Sequence, residues 1–146
     1  MWHFTDAWLL QSIAYAGRRG DLRAVIGNAD HINVDIPSRA DIERSVNRLA
    51  AAGLVEPSGL RLRATRRGRK LVRKSARWNQ GVREVPPRLT AKLQDEIPFP
   101  SNPAAWSFTD DAWQAAYDRY YPPGKRDRAL PDGSSTNSSP PSSMAM

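Results

Sequence analysis

With 146 residues, 40% of them hydrophobic, the chain is sized for one domain with appendages rather than for two independent cores. Its formal charge of +7 favours a polyanionic partner, nucleic acid before an anionic membrane surface. The absence of cysteine excludes disulfides, thiolate zinc sites and thiol nucleophiles, and it suits a reducing compartment.

The N-terminus, Met1-Trp2-His3-Phe4-Thr5-Asp6, has no basic region ahead of an apolar run, and no stretch approaches the roughly 18 apolar residues of a membrane span. A cytoplasmic protein without membrane contact is expected. Thr5 reads as the N-cap of a first helix, with Phe4 stapling onto Leu9; Leu9, Ile13 and Ala16 recur at helical spacing until Gly17. Asp21 caps a second helix whose Leu22, Val25, Ile26 and Ala29 form one apolar stripe. Residues His31 to Pro37 read as an extended connector or a very short strand, since Pro37 biases Ile36 away from helix. Ser38, with Asp41 three residues on, opens a third helix that turns Ile42, Val46 and Leu49 inward and stops at Gly53. Leu54 to Glu56 and Leu60 to Ala64 predict two strands joined by a Pro57-Ser58-Gly59 turn. Thr65 caps a fourth helix with Leu71, Val72, Ser75 and Trp78 on one face and Arg66, Lys70, Arg73 and Arg77 on another.

Five prolines between Asn79 and Pro103 predict a surface linker, within which Leu89 to Ile97 has room for two helical turns. Thr109 caps a last helix, with Phe108 stapling onto Trp113 and an aromatic stripe of Trp113, Tyr117 and Tyr120 that Pro122 and Pro123 terminate. The Ser/Pro-rich residues from Pro131 to Met146 cannot bury enough apolar surface to offset ordering entropy and predict a disordered tail. The likeness between Phe4-Thr5-Asp6-Ala7-Trp8 and Phe108-Thr109-Asp110-Asp111-Ala112-Trp113 is put down to shared capping chemistry.

Charge is distributed unevenly. Ten basic and no acidic residues lie between Pro57 and Arg83, leaving 12 basic against 15 acidic elsewhere. Eight of the ten are arginines, whose planar fork suits phosphate oxygens. Either the run is a solvated face or it meets nucleic acid.

Three helices, a two-stranded hairpin and a further helix form the order of a winged-helix domain. The stretch from Leu49-Ala50-Ala51-Ala52-Gly53-Leu54-Val55 to Thr65-Arg66-Arg67-Gly68-Arg69-Lys70-Leu71 resembles the third-helix exit, wing and post-wing helix of MarR-like and PadR-like bacterial transcriptional regulators. The resemblance covers roughly residues 1–78. It implies that Ser38 to Ala52 is a recognition helix lying in the major groove and that Pro57-Ser58-Gly59 is the wing tip. On a helical wheel, Arg44, Asn47 and Arg48 stand opposite the Ile42, Val46, Leu49 stripe, and Arg and Asn are the usual bidentate readers of guanine and adenine. Ion pairing of Asp41 with Arg44 and of Glu43 with Arg39 is the competing role for that face. Two departures stand out: the connector from His31 to Pro37 is longer than a standard helix-turn-helix turn, and no long helix precedes Thr5 to dimerise as in MarR-like proteins.

His3 and His31 are the only histidines, and Asp30, His31 and Asp35 lack the set a zinc site needs. Gly17-Arg18-Arg19-Gly20 lacks the lysine of a phosphate loop. The expectation is therefore a non-enzyme with no cofactor or metal. Its fold class is α+β, mainly α: a winged helix over 1–78, a Pro-rich linker over 79–105, an aromatic helix over 106–123 and a tail over 124–146. Duplex DNA is the expected partner, with Arg44, Asn47 and Arg48 on bases and Arg61, Arg63, Arg66, Arg67 and Lys70 on the backbone. The alternative is an interaction module docking an acidic protein or RNA, and a homodimer, if one forms, would use the C-terminal helix.

Overall fold

A computed structural model describes residues 1–77 and 80–120. Trp78, Pro122, Pro123 and the tail from residue 124, on which expectations were stated, lie outside the described residues. The fold is α+β and mainly helical, with an antiparallel hairpin following three helices, an order compatible with the expected class.

The first helix, α1 (Phe4–Ala16), is the axis of the core. Asp6 through Ile13 are all buried, because α2, α3, α4 and α5 pack around α1. A helix covered on every side needs more than the single stripe read from the sequence. His3, not Thr5, is its N-cap: the Asp6 carboxylate accepts the His3 backbone N–H at 2.9 Å. Phe4 is correspondingly inside the helix, half exposed against Trp8 rather than stapled to Leu9.

Asp21 caps α2 (Leu22–Asn33), its carboxylate accepting from the Ala24 N–H at 2.8 Å. The helix runs past the expected end and buries Ile32. It stops at Val34, in left-handed backbone at φ 52°, so the connector to the next helix shrinks to residues 34–38. Ser38 caps α3 (Arg39–Ala51) by accepting from the Asp41 N–H at 3.0 Å. The exit of α3 is a Schellman motif: Gly53, at φ 76°, donates to the Ala50 carbonyl at 3.0 Å and Leu54 donates to the Leu49 carbonyl at 2.9 Å.

Strands β1 (Val55–Ser58) and β2 (Arg61–Ala64) pair with Val55 opposite Ala64 and Ser58 opposite Arg61. The turn is therefore Gly59-Leu60, with Gly59 at φ 61°, and Pro57 and Ser58 belong to the strand. Leu60 accordingly does not join Leu62 and Ala64 in the core but is exposed at the tip. The outer edge of β2 is covered, as Leu62 donates to the Gly20 carbonyl at 2.8 Å. Thr65 locks α4 (Arg66–Ser75) onto the α3 exit: its hydroxyl accepts from the Gly68 N–H at 3.1 Å and donates to the Gly53 carbonyl at 2.8 Å.

The expected surface linker is a core element instead. A short 3-10 turn (Val82–Glu84) leads into α5 (Val85–Glu96), which buries Val85, Pro86, Leu89 and Leu93 against α1 and α4. Prolines at the first turn of a helix remove N–H groups that have no intrahelical partner, so they start α5 rather than break it. Residues 98–109 then cross α3 without regular structure, and α6 (Asp110–Tyr120) returns along α2. The main cluster of buried residues runs from Trp2 to Ala116, and a smaller one joins Trp8, Ala29 and Ile32 with Val82 against it, so both draw on residues before and after position 78.

Candidate nucleic-acid interface

The flank of α3 that bears Arg39, Glu43 and Asn47 is covered by the crossing segment, whereas Ala40, Arg44 and Ala51 stay exposed. Asn47 clamps Trp106: its amide nitrogen donates to the Trp106 carbonyl at 2.8 Å, and its amide oxygen accepts the Trp106 N–H at 2.7 Å. The Asn47 carbonyl accepts from the Ala104 N–H at 3.0 Å. One turn earlier, Glu43 accepts the Phe108 N–H at 3.1 Å, while Arg39 donates to the Phe108 carbonyl, lies over the Phe108 ring and pairs with Asp110. Trp106 donates its indole N–H to the Gly59 carbonyl at 2.8 Å, which ties the segment to the hairpin tip as well.

Arg48 is held from below. Its guanidinium is 3.4 Å from the fully buried Asp6 carboxylate, which also accepts the Ser45 hydroxyl at 2.7 Å, and it stacks over Phe99. Removing such a buried partner costs several kcal/mol, so Arg48 is a structural cation. Arg44 alone of the three expected base readers points to solvent, paired with Asp41. The expected constellation of Arg44, Asn47 and Arg48 is thus taken apart by tertiary contacts: two of its members hold the fold together. The signal for this was present as Phe99, an aromatic residue in the apparent linker with nothing local to pack on, and as Trp106, which stands outside the Trp113, Tyr117, Tyr120 stripe.

Cations after residue 57 are placed differently. Strand alternation buries Leu62 and Ala64 and turns Arg61 and Arg63 outward; on α4, Arg66, Arg67, Arg69, Lys70, Arg73 and Lys74 are exposed. Arg66 and Arg67 sit in the first turn of α4, the positive end of its dipole, with no acidic residue there to offset them. Lys74, with Glu96 at 3.7 Å, makes the only ion pair of these eight among the described residues. Glu56 stands opposite Arg63 in the hairpin register without forming an ion pair. The five expected phosphate-contacting residues do not form one cluster: Arg61 lines a groove with Arg23 and Arg119, Arg63 a cavity with Arg18 and Arg69, and Arg67 and Lys70 a cleft beside Lys74 and Glu96. Arg18, Arg23 and Arg119 were not anticipated, because neither loop nor helix register shows that they converge on the hairpin.

Elsewhere the small polar groupings have local roles. Asp30 accepts the Tyr120 hydroxyl at 2.6 Å, and Asp35 accepts the Ile36 N–H at 2.8 Å. Thr109 does cap α6, accepting the Ala112 N–H at 3.0 Å, so the two Phe-Thr-Asp sequences are capped differently: Thr5 lies inside its helix and Thr109 precedes its own. The aromatic face of α6 packs within the chain, with Tyr120 against Gly27 of α2. Among the described residues no helix is long and apolar enough to cross a membrane.

Comparison with protein-family models, with curated proteins and with solved structures gives no match for this chain.

Proposed function

We propose that this is a winged-helix nucleic-acid-binding protein that grips the phosphates of duplex DNA through its hairpin and α4, and does not read bases through α3. The observation that carries the reading is the contrast between two sets of cations. Those of α3 are paired or stacked within the chain, whereas Arg61, Arg63, Arg66, Arg67 and Lys70 are exposed without an ion pair among the described residues. Uncompensated, exposed cations gain most from a polyanion, whose counterions they release. Backbone contacts of this type fix position and carry no sequence information. The role is binding rather than catalysis, and α6 is engaged with its own α2, so the proposal needs no second copy.

A gel shift against random duplex DNA, single-stranded DNA and RNA at two salt concentrations tests it. Four to six phosphate contacts give a slope of log K against log salt of about −4 to −5, at about −0.9 per contact. No binding to any nucleic acid at about 50 mM salt overturns the reading and leaves an acidic protein as the partner of this surface.

A further inference from the structure

Among the described residues, one convergence of charge lies beside, not on, the outer face of α4. A cavity of about 340 Å³ opens between the end of α1, the inner end of β2 and the first turn of α4. Arg18 from the loop after α1, Arg63 from β2 and Arg69 from α4 line it, with Ala14 and Gly17 forming part of the wall and no carboxylate among the described residues that line it. We propose that this cavity is a phosphate-binding site.

The arginines do not meet there by loose sampling. The loop carrying Arg18 is bounded by Gly17 at φ 61° and Gly20 at φ 55°, and the latter lies so close beneath β2 that an added Cβ would stand 2.3 Å from the Leu62 oxygen. The hydrogen bond from Leu62 to the Gly20 carbonyl fixes that loop to the strand bearing Arg63. Arg69 is held by its own Nη1, which donates to the Ala64 carbonyl at 2.7 Å and leaves its other donors free for a ligand. The side chains of Arg18 and Arg63 make no hydrogen bond or ion pair among the described residues. The C-terminus of α1 offers only roughly half a negative charge against three full positive ones. An anion is what balances the site, and three guanidinium forks suit a multiply charged group with several oxygens, which phosphate offers and a single carboxylate does not. The volume falls in the range of about 300–1,000 Å³ typical of small-ligand pockets.

The site deepens the proposed function, since Arg63 belongs to both, but occupancy by free phosphate does not require a duplex. The phosphate has two sources: the nucleic-acid backbone, or a free phosphorylated small molecule. They are separated by titrating the full chain with pyrophosphate, followed by the amide NMR signals of Gly17, Arg18, Arg63 and Arg69 against sodium chloride at equal ionic strength, and in parallel with a random duplex. Arg18→Gln is compared with Arg19→Gln, which removes the same charge one residue outside the cavity. The expected result is saturable shifts at those four residues, weakened about tenfold by Arg18→Gln, as for loss of one charge-assisted bond, and little changed by Arg19→Gln. A matching selective loss of duplex affinity identifies the backbone as the source; duplex affinity insensitive to Arg18→Gln identifies a free phosphorylated ligand. If pyrophosphate does no more than chloride and Arg18→Gln behaves as Arg19→Gln on the duplex, the site is refuted while duplex binding itself still stands. Saturable pyrophosphate binding with no nucleic-acid binding has the reverse meaning: the cavity stands and the proposed function falls.

Discussion

Replacing Asn47 by alanine separates a base-reading residue from a structural one. The side chain makes two hydrogen bonds to the Trp106 backbone, at 2.8 and 2.7 Å, across a sequence separation of 59 residues. Each is worth about 1 kcal/mol net, and a fully buried orphaned donor or acceptor would cost up to about 3 kcal/mol. Trp106 is only partly buried, so water can reach the groups that Asn47→Ala frees, and the lower figure applies to both. The expected cost is about 2 kcal/mol. A chain of this size loses about 4 °C of Tm per kcal/mol, so the transition should fall by about 8 °C. Arg44→Ala, on the same helix and exposed, removes only a surface ion pair with Asp41 and should stay within about 0.5 kcal/mol of wild type. Thermal and urea unfolding of the two variants give the comparison directly. Equal stability of Asn47→Ala and wild type would refute the clamp and return Asn47 to the solvent face.

Asp6→Ala removes the acceptor shared by His3, Ser45 and Arg48 and should cost about 3 kcal/mol or more in urea unfolding, and Arg48→Ala should also cost about 3 kcal/mol because it strips the fully buried Asp6 carboxylate of its countercharge; near-wild-type stability of Arg48→Ala counts against a buried anion at this node. At Gly68 an added Cβ would stand 2.3 Å from the Leu54 carbonyl oxygen, so Gly68→Ala should cost about 1–3 kcal/mol by overpacking, read from the shift in denaturation midpoint. Arg63→Ala should weaken every duplex about equally, and Arg48→Ala should lower stability without changing the ratio of affinities for selected and random duplexes. A ratio that narrows by about tenfold or more in Arg48→Ala would show α3 reading bases after all.

What the sequence determined by itself was local. Asp21, Ser38, Thr65 and Thr109 cap their helices because a side-chain oxygen two or three residues before an orphan N–H needs no tertiary help. Gly53 ends α3 and Arg61 and Arg63 turn outward for equally short-range reasons, positive φ and strand alternation. Tertiary structure decided the rest. Pro86 and Pro87 punctuate a linker or open a helix with equal local logic, and only the burial of Val85, Leu89 and Leu93 against α1 selects the helix. The flank of α3 that bears Arg39, Glu43 and Asn47 is polar whether it meets DNA or residues 98–109, because hydrogen-bonding side chains suit either partner. Arg18, Arg63 and Arg69 come from positions up to 51 residues apart, and nothing in local spacing encodes their meeting in one cavity; that follows from Gly20 tucking under β2. Capping and turn chemistry act over a few residues and are legible in order, whereas the occupancy of a surface depends on which distant segment buries apolar area against it.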